Sequence, residues 1–325
     1  MSAAGNPPMR SATSGDERAD PRQWPLAALV TTACLATANL ALAQSQPQTQ
    51  SQAQARPQTQ THTPPADPVD RLRDRGEGLP TSMFGTYVRG GELLLYPFYE
   101  YYRDNNFEYA PVELGFTAQD DYRGRFRAHE GLLFAAYGIT DDVAFEIEAA
   151  VIDGSLEKAP TDPTGAPRLI SESGLGDVEG QLRWRWRRET DRRPEVFSYA
   201  EVVLPHHRDQ VLIGTPGWEL KFGTGLVRGF RWGTLTARAA IDYDEASSSH
   251  FDLGEYAVEY LRRLSPAWRV YAGLEGSSDE LAVIGEIQWH VSRHVFVRIN
   301  NGIGLTSKAT DWAPELGVVF SFGRR

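Results

Sequence analysis

The feature that most constrains this chain is an alternation of apolar and polar side chains over stretches of about ten residues, repeated from Gly90 to the C-terminal end. In DVAFEIEAAV (142–151), Val143, Phe145, Ile147, Ala149 and Val151 share one face while Glu146 and Glu148 occupy the other. In ELAVIGEIQWHV (280–291), Leu281, Val283, Ile287, Trp289 and Val291 oppose Glu286, Gln288 and His290. A period of two is that of a strand, and ten residues at ~3.3 Å rise, tilted by about 40°, span roughly the 25 Å of an outward apolar band. Twelve such segments are read, near 91–102, 123–137, 142–154, 177–188, 195–205, 217–228, 232–244, 254–264, 268–277, 280–291, 294–304 and 313–323.

The connections support the same architecture. Those after the second, fourth, sixth, eighth and tenth segments are tight (ITDD, ETDRRP, RGFR, SPA, VSR), whereas those at 103–122, 155–176 and 206–216 are long. Short periplasmic turns facing longer outer loops produce that rhythm. The expected fold is therefore all-β, a 12-stranded antiparallel transmembrane β-barrel occupying 90–325. Tyr137, Trp232, Trp268 and Trp289 fall at one interfacial level, and Trp218 and Trp312 at the other, as an aromatic girdle requires.

The segment before the barrel has a different texture. Arg10, Arg18 and Arg22 precede WPLAALVTTACLATANLALA, which ends in small residues, so 1–43 reads as a signal peptide cleaved after Ala43, with Met9 an alternative start. The single cysteine, Cys34, lies inside it. Residues 44–89 read as a low-complexity, largely disordered periplasmic linker, with room for a short helix or plug around Val69 to Arg75. A net charge of -10 excludes a nucleic-acid binder, which needs a basic surface.

The polar faces define the candidate site. In GLGDVEGQLRWRWRRE (174–189), Val178, Leu182, Trp184 and Trp186 are assigned to lipid and Arg183, Arg185 and Arg187 to the lumen. The opposite register puts three arginines in lipid at ~2–4 kcal/mol each near the midplane. With Arg125, Arg127 and His129 assigned inward on the second segment and Glu146 and Glu148 on the third, a basic, acidic and basic ladder is expected along one wall. That assignment leaves Glu130 on the lipid face, unless a bulge near Gly131 rescues it. Glu219, Lys221, Arg238, Glu286 and Arg298 are further lumen candidates. The ladder reads equally as a selective constriction or as a satisfied network filling the barrel.

No catalytic constellation, cofactor or metal site is expected. The Ser247 to His250 run sits in an outer loop, the adjacent His206 and His207, weighed with Asp209 as metal ligands, point opposite ways at a strand end, and GLGDVEG precedes a strand, unlike a dinucleotide fingerprint. The final strand LGVVFSF (316–322) resembles the C-terminal signature of Gram-negative outer-membrane proteins, and Gly323, Arg324 and Arg325 follow it. YGITDDVAFEIEA (137–149) and SGLGDVEGQLRWRW (173–186) are similar to outer-membrane proteins of the phenol-degradation meta-pathway type. The resemblance implies insertion in outer-membrane lipid by the barrel-assembly machinery and passage of small solutes, hydrophobic or aromatic ones among them. Three readings stand: a porin-like channel, a non-conducting structural or surface-interaction barrel, and a secreted soluble β-sandwich.

Overall fold

A computed structural model describes residues 70–323, leaving out 118, 119, 207, 208, 211, 216 and 246–250. The expected leader, the Gln/Thr/Pro-rich tract up to residue 69 and the Ser247 to His250 run lie outside the described residues. A short 3-10 helix, Asp70–Leu72, leads to a small hairpin, β1 (Leu79–Pro80) and β2 (Tyr87–Val88). The barrel strands follow: β3 (Glu92–Tyr109), β4 (Tyr122–Thr140), β5 (Val143–Glu157), β6 (Leu169–Arg187), β7 (Glu195–Leu204) and β8 (Glu219–Phe230). The second half is β9 (Gly233–Asp244), β10 (Phe251–Arg263), β11 (Trp268–Gly276), β12 (Leu281–His290), β13 (Val295–Gly304) and β14 (Ala313–Gly323).

Each barrel strand pairs antiparallel with its neighbours in sequence, and β14 closes on β3 through pairs such as Leu316 with Tyr99. Closure removes every sheet edge and excludes the sandwich reading. The alternation predicted from sequence then has two destinations. Phe145, Ile147, Phe222, Ile241 and Ile299 are exposed on the outer surface, while Glu146, Arg183, Glu286 and Arg298 are buried within. An apolar belt of this extent around a closed barrel is what lipid, not water, accommodates.

The wall is not level. β3 to β6 run 15 to 19 residues, whereas β7 to β14 run 9 to 13. Because the turns at the end that holds both barrel termini are tight, the excess projects from the opposite, outer end as a hood, about 20 Å above the low rim at normal rise and tilt. The hood has its own small core, in which Tyr109, Leu156 and Ala159 pack with Leu212 of the β7–β8 connection.

One expectation is corrected here. Residues 70–88, assigned to the disordered linker, fold into the barrel instead. The segment GLPTSMFGTYV carries Leu79, Met83, Phe84, Tyr87 and Val88, enough apolar surface to offset the entropy of ordering it. Leu79 and Val88 are fully buried in one cluster with Tyr96, Phe134, Phe197, Tyr199 and Val319 from the barrel wall.

Candidate functional site

The hairpin enters from the periplasmic end and is fixed at base and tip. At the base, Arg75 is buried between Glu189 (2.9 Å) and Glu195 (3.2 Å), and Asp74 accepts from the backbone N–H of Arg263 at 2.9 Å. Higher up, Arg185 donates to the Gly78 carbonyl (2.8 Å) and Arg183 to the Pro80 carbonyl (3.1 Å). At the tip the Ser82 hydroxyl and backbone N–H both donate to one Glu146 oxygen, at 2.5 and 3.0 Å. Gly85 turns the tip with φ +64°, and a Cβ there would crowd Gln288 and Leu261 at 3.1 Å. Only glycine meets both demands.

Around this tip three buried arginines stand on aromatic rings. Arg183 lies 4.8 Å from the Tyr199 ring centre, Arg298 4.8 Å from Tyr96, and Arg238 5.0 Å from Phe84 of the hairpin itself. Each is matched by carboxylates: Arg183 to Glu146 at 3.3 Å, Arg298 to Glu286 at 2.5 Å, and Arg238 to Glu259 (2.9 Å), Glu275 (3.2 Å) and Glu255. A charge removed from water is tolerated only with such partners.

Above the tip the lumen opens. A cavity of about 570 Å³ has Ser82, Met83 and Phe84 at its floor and outer-loop residues Ala309 and Thr310 at its mouth. Its lining holds ten carboxylates, Glu100, Glu148, Glu179 and Glu201 among them, against four cations, Arg183, Lys221, Arg238 and Arg298. Lys221 is itself held by Glu201 at 3.0 Å. The lining thus offers more carboxylates than cations.

The ladder predicted from sequence is not what assembles. Glu146 and Glu148 do face inward, and so do Arg183 and Arg185, but β4 is turned the other way. Ala128, Phe134 and Ala136 are buried inside, and Leu133 and Tyr137 are exposed outside. Arg125, Arg127 and His129 therefore lie on the outer surface, where His129 meets the Tyr99 hydroxyl at 2.6 Å and Arg125 pairs with Glu157. The physical reason is height. These residues sit in the part of β4 at and above the outer interface, where an outward arginine meets headgroups and water. Glu130 needs no bulge, since it is paired across the strands with Glu100, on the lumen face.

The remaining candidates separate by level. Arg185 is drawn to the periplasmic rim by Asp142 (2.9 Å) and Glu195 (3.0 Å), and Arg187 is exposed there, donating to the Pro194 carbonyl at 3.2 Å. Glu219 lies opposite Asp244 near the mouth. Tyr137, Trp218, Trp232, Trp268, Trp289 and Trp312 are all exposed on the outer wall, with Trp268 stacked on Trp289 and Trp312 edge-on to Tyr101. Sequence reasoning missed the hairpin tip, Glu100, and the Glu255, Glu259 and Glu275 cage around Arg238. The inward periodicity of β10 and β11, which carry that cage, was the available signal.

Solved structures share this architecture. An outer-membrane channel from Pseudomonas putida F1 aligns over 72% of this chain and 97% of its own, at 14% identity and a TM-score of 0.53. The translocator domain of the autotransporter NalP from Neisseria meningitidis aligns more loosely, at 10% identity over 71% of this chain and 88% of its own, with a TM-score of 0.45. The toluene transporter TbuX from Ralstonia pickettii, at 10% identity over 73% and 90%, has a TM-score of 0.38. No family profile matches the chain, and a search of curated proteins finds no match. The first likeness is one of fold, and the fold is that of an outer-membrane β-barrel.

Proposed function

We propose that this protein is a passive outer-membrane channel for small solutes, with a preference for cationic ones, and that the hairpin 79–88 is the plug that limits its conductance. The observation that carries the reading is the carboxylate-lined cavity that opens outward and stops at Ser82, Met83 and Phe84. Export by the N-terminal leader and insertion by the barrel-assembly machinery, which would read the LGVVFSF strand, belong to the same proposal. Hydrophobic or aromatic solutes are served by the inner aromatics Phe98, Phe134 and Phe84 on the cavity wall.

Planar-bilayer recording tests this. The intact barrel is expected to show small, cation-selective currents. Removing residues 70–88, or truncating Ser82, Met83 and Phe84 to alanine or glycine while keeping Leu79 and Val88, is expected to raise the conductance several-fold. A heat-modifiable gel shift identifies folded material. The occupied lumen also favours a second reading, a non-conducting structural barrel. Folded protein that stays silent after both changes establishes that reading and ends the channel proposal.

A further inference from the structure

The outer face of the hood carries a charge arrangement that neither the lumen nor the fold requires. Along one cross-strand row, Arg103 of β3 lies between Trp312 and Arg127 of β4, and the row continues through Ser155 and Ser171. Like charges directly opposed on paired strands destabilise them. Other cations of this wall are neutralised, Arg123 by Glu108 and both Arg125 and Arg168 by Glu157. The Arg103 guanidinium reaches the Asn105 amide oxygen, at 3.4 Å, and the Arg127 guanidinium makes no side-chain hydrogen bond or ion pair among the described residues, while its backbone carbonyl accepts from the Ser155 hydroxyl at 3.5 Å. Outward carboxylates stand around the pair: Asp153 one row lower, opposite His129, Glu157 one row higher, opposite Arg125, and Asp311, which accepts from Asn105.

The height of the pair is informative. Tyr99, Val151 and Leu175 mark the upper edge of the apolar belt, two rows beneath. Arg127 precedes Tyr137 of the periplasmic girdle by ten residues, roughly 25 Å along the barrel axis at normal rise and tilt. Both guanidinium groups thus stand at the headgroup level of the outer leaflet. Beneath them Gly131, the cross-strand neighbour of Tyr99 and Val151, leaves the wall bare, with nothing within 4 Å of where a Cβ would be. Between the arginines and this bare patch stands the row of Tyr101, His129 and Asp153.

We infer that Arg103 and Arg127 bind the phosphate of an outer-leaflet glycolipid. A phosphate between two guanidinium groups converts the opposed charges into charge-assisted hydrogen bonds. Charge complementarity selects this occupant, because a neutral headgroup leaves the repulsion in place and a zwitterionic one sets a cation of its own beside the two guanidinium groups. The site is on the outer wall and does not depend on whether the lumen conducts.

Native mass spectrometry of the purified barrel in neutral detergent, titrated with lipid A, reads the site directly. One lipid A molecule is expected to bind in preference to its dephosphorylated form. Arg103→Gln with Arg127→Gln should weaken that binding about tenfold or more, the scale of losing charge-assisted hydrogen bonds. Arg127→Lys should retain most of it, and Arg168→Gln, on the same wall, should leave it unchanged. A heat-modifiable gel shift shows which variants are folded. Equal binding by the folded double variant, equal binding of dephosphorylated lipid, or full competition by inorganic phosphate at equal concentration overturns the inference.

Discussion

The two halves of the lumen are built from the same alternating strands and filled in opposite ways. In the periplasmic half every large inward side chain is packed: the hairpin meets Tyr96, Phe134, Phe197 and Tyr199, and its arginines are caged. In the outer half the inward residues are carboxylates facing a cavity of about 570 Å³, with too few cations to match them. The difference shows that the period of two fixes which side chains point inward but not whether they meet protein or water. A plug segment decides that, and it is drawn from a part of the chain that carries no barrel strand.

Breaking a buried charge cage where the packed half meets the cavity has the largest expected effect on stability. Arg298→Ala leaves Glu286 buried without its partner, a cost of about 3–5 kcal/mol, measured as the urea midpoint of tryptophan fluorescence in micelles. Replacing both members, Arg298→Met with Glu286→Leu, should recover most of that loss, because a paired apolar substitute removes the orphaned charge.

The same chemistry in the open half should behave differently. Glu148→Gln with Glu179→Gln is expected to leave stability within about 0.5 kcal/mol, since both groups face cavity water, while reducing cation selectivity in bilayers. A stability loss as large as that of Arg298→Ala would erase the distinction between the halves.

The smallest effect lies at the periplasmic rim. Hydrogen bonding from Arg188, and then from Arg185, holds the Asp142 carboxyl below its ordinary value. A depressed carboxylate contributes stability above its unfolded value, about 3.9, and loses it as pH falls through the folded one. Asp142→Asn should therefore cost less than about 1 kcal/mol near neutrality, because the pair is largely exposed, and nothing at pH 2. Unfolding midpoints at the two pH values check this.

These contrasts also explain what could be read from the sequence. All twelve strands and their tight turns were legible within the belt, because lipid imposes a strict pattern and a tight turn needs recognisable residues, whereas 103–109 and 169–176, read as outer loop, are strand in the hood above it. The register of β4 was not. In RFRAHEGLLFAAYG (125–138) apolar residues fall on both faces, since Phe134 and Ala136 pack on other inward residues while Leu133 and Tyr137 face outward. Alternation loses its meaning where the interior is itself apolar. The arginines at 125 and 127 then misled, because the cost of an outward arginine holds only within the belt. The hairpin was hidden by its length: two-residue strands carry no period, and only Pro80, Gly85 and the flanking apolar residues mark it.

The uneven rim gives the molecule a front and a back within the plane of the membrane. Four adjacent strands stand tall and eight stand low, so the mouth is approached over β7 to β14 and screened from the side of β3 to β6. A neighbour crowding the low side would throttle access to the carboxylates, whereas the same neighbour leaning on the tall side would leave traffic unaltered. Which way the barrel faces among its neighbours thus sets how open its mouth stands, through rotation about the membrane normal alone.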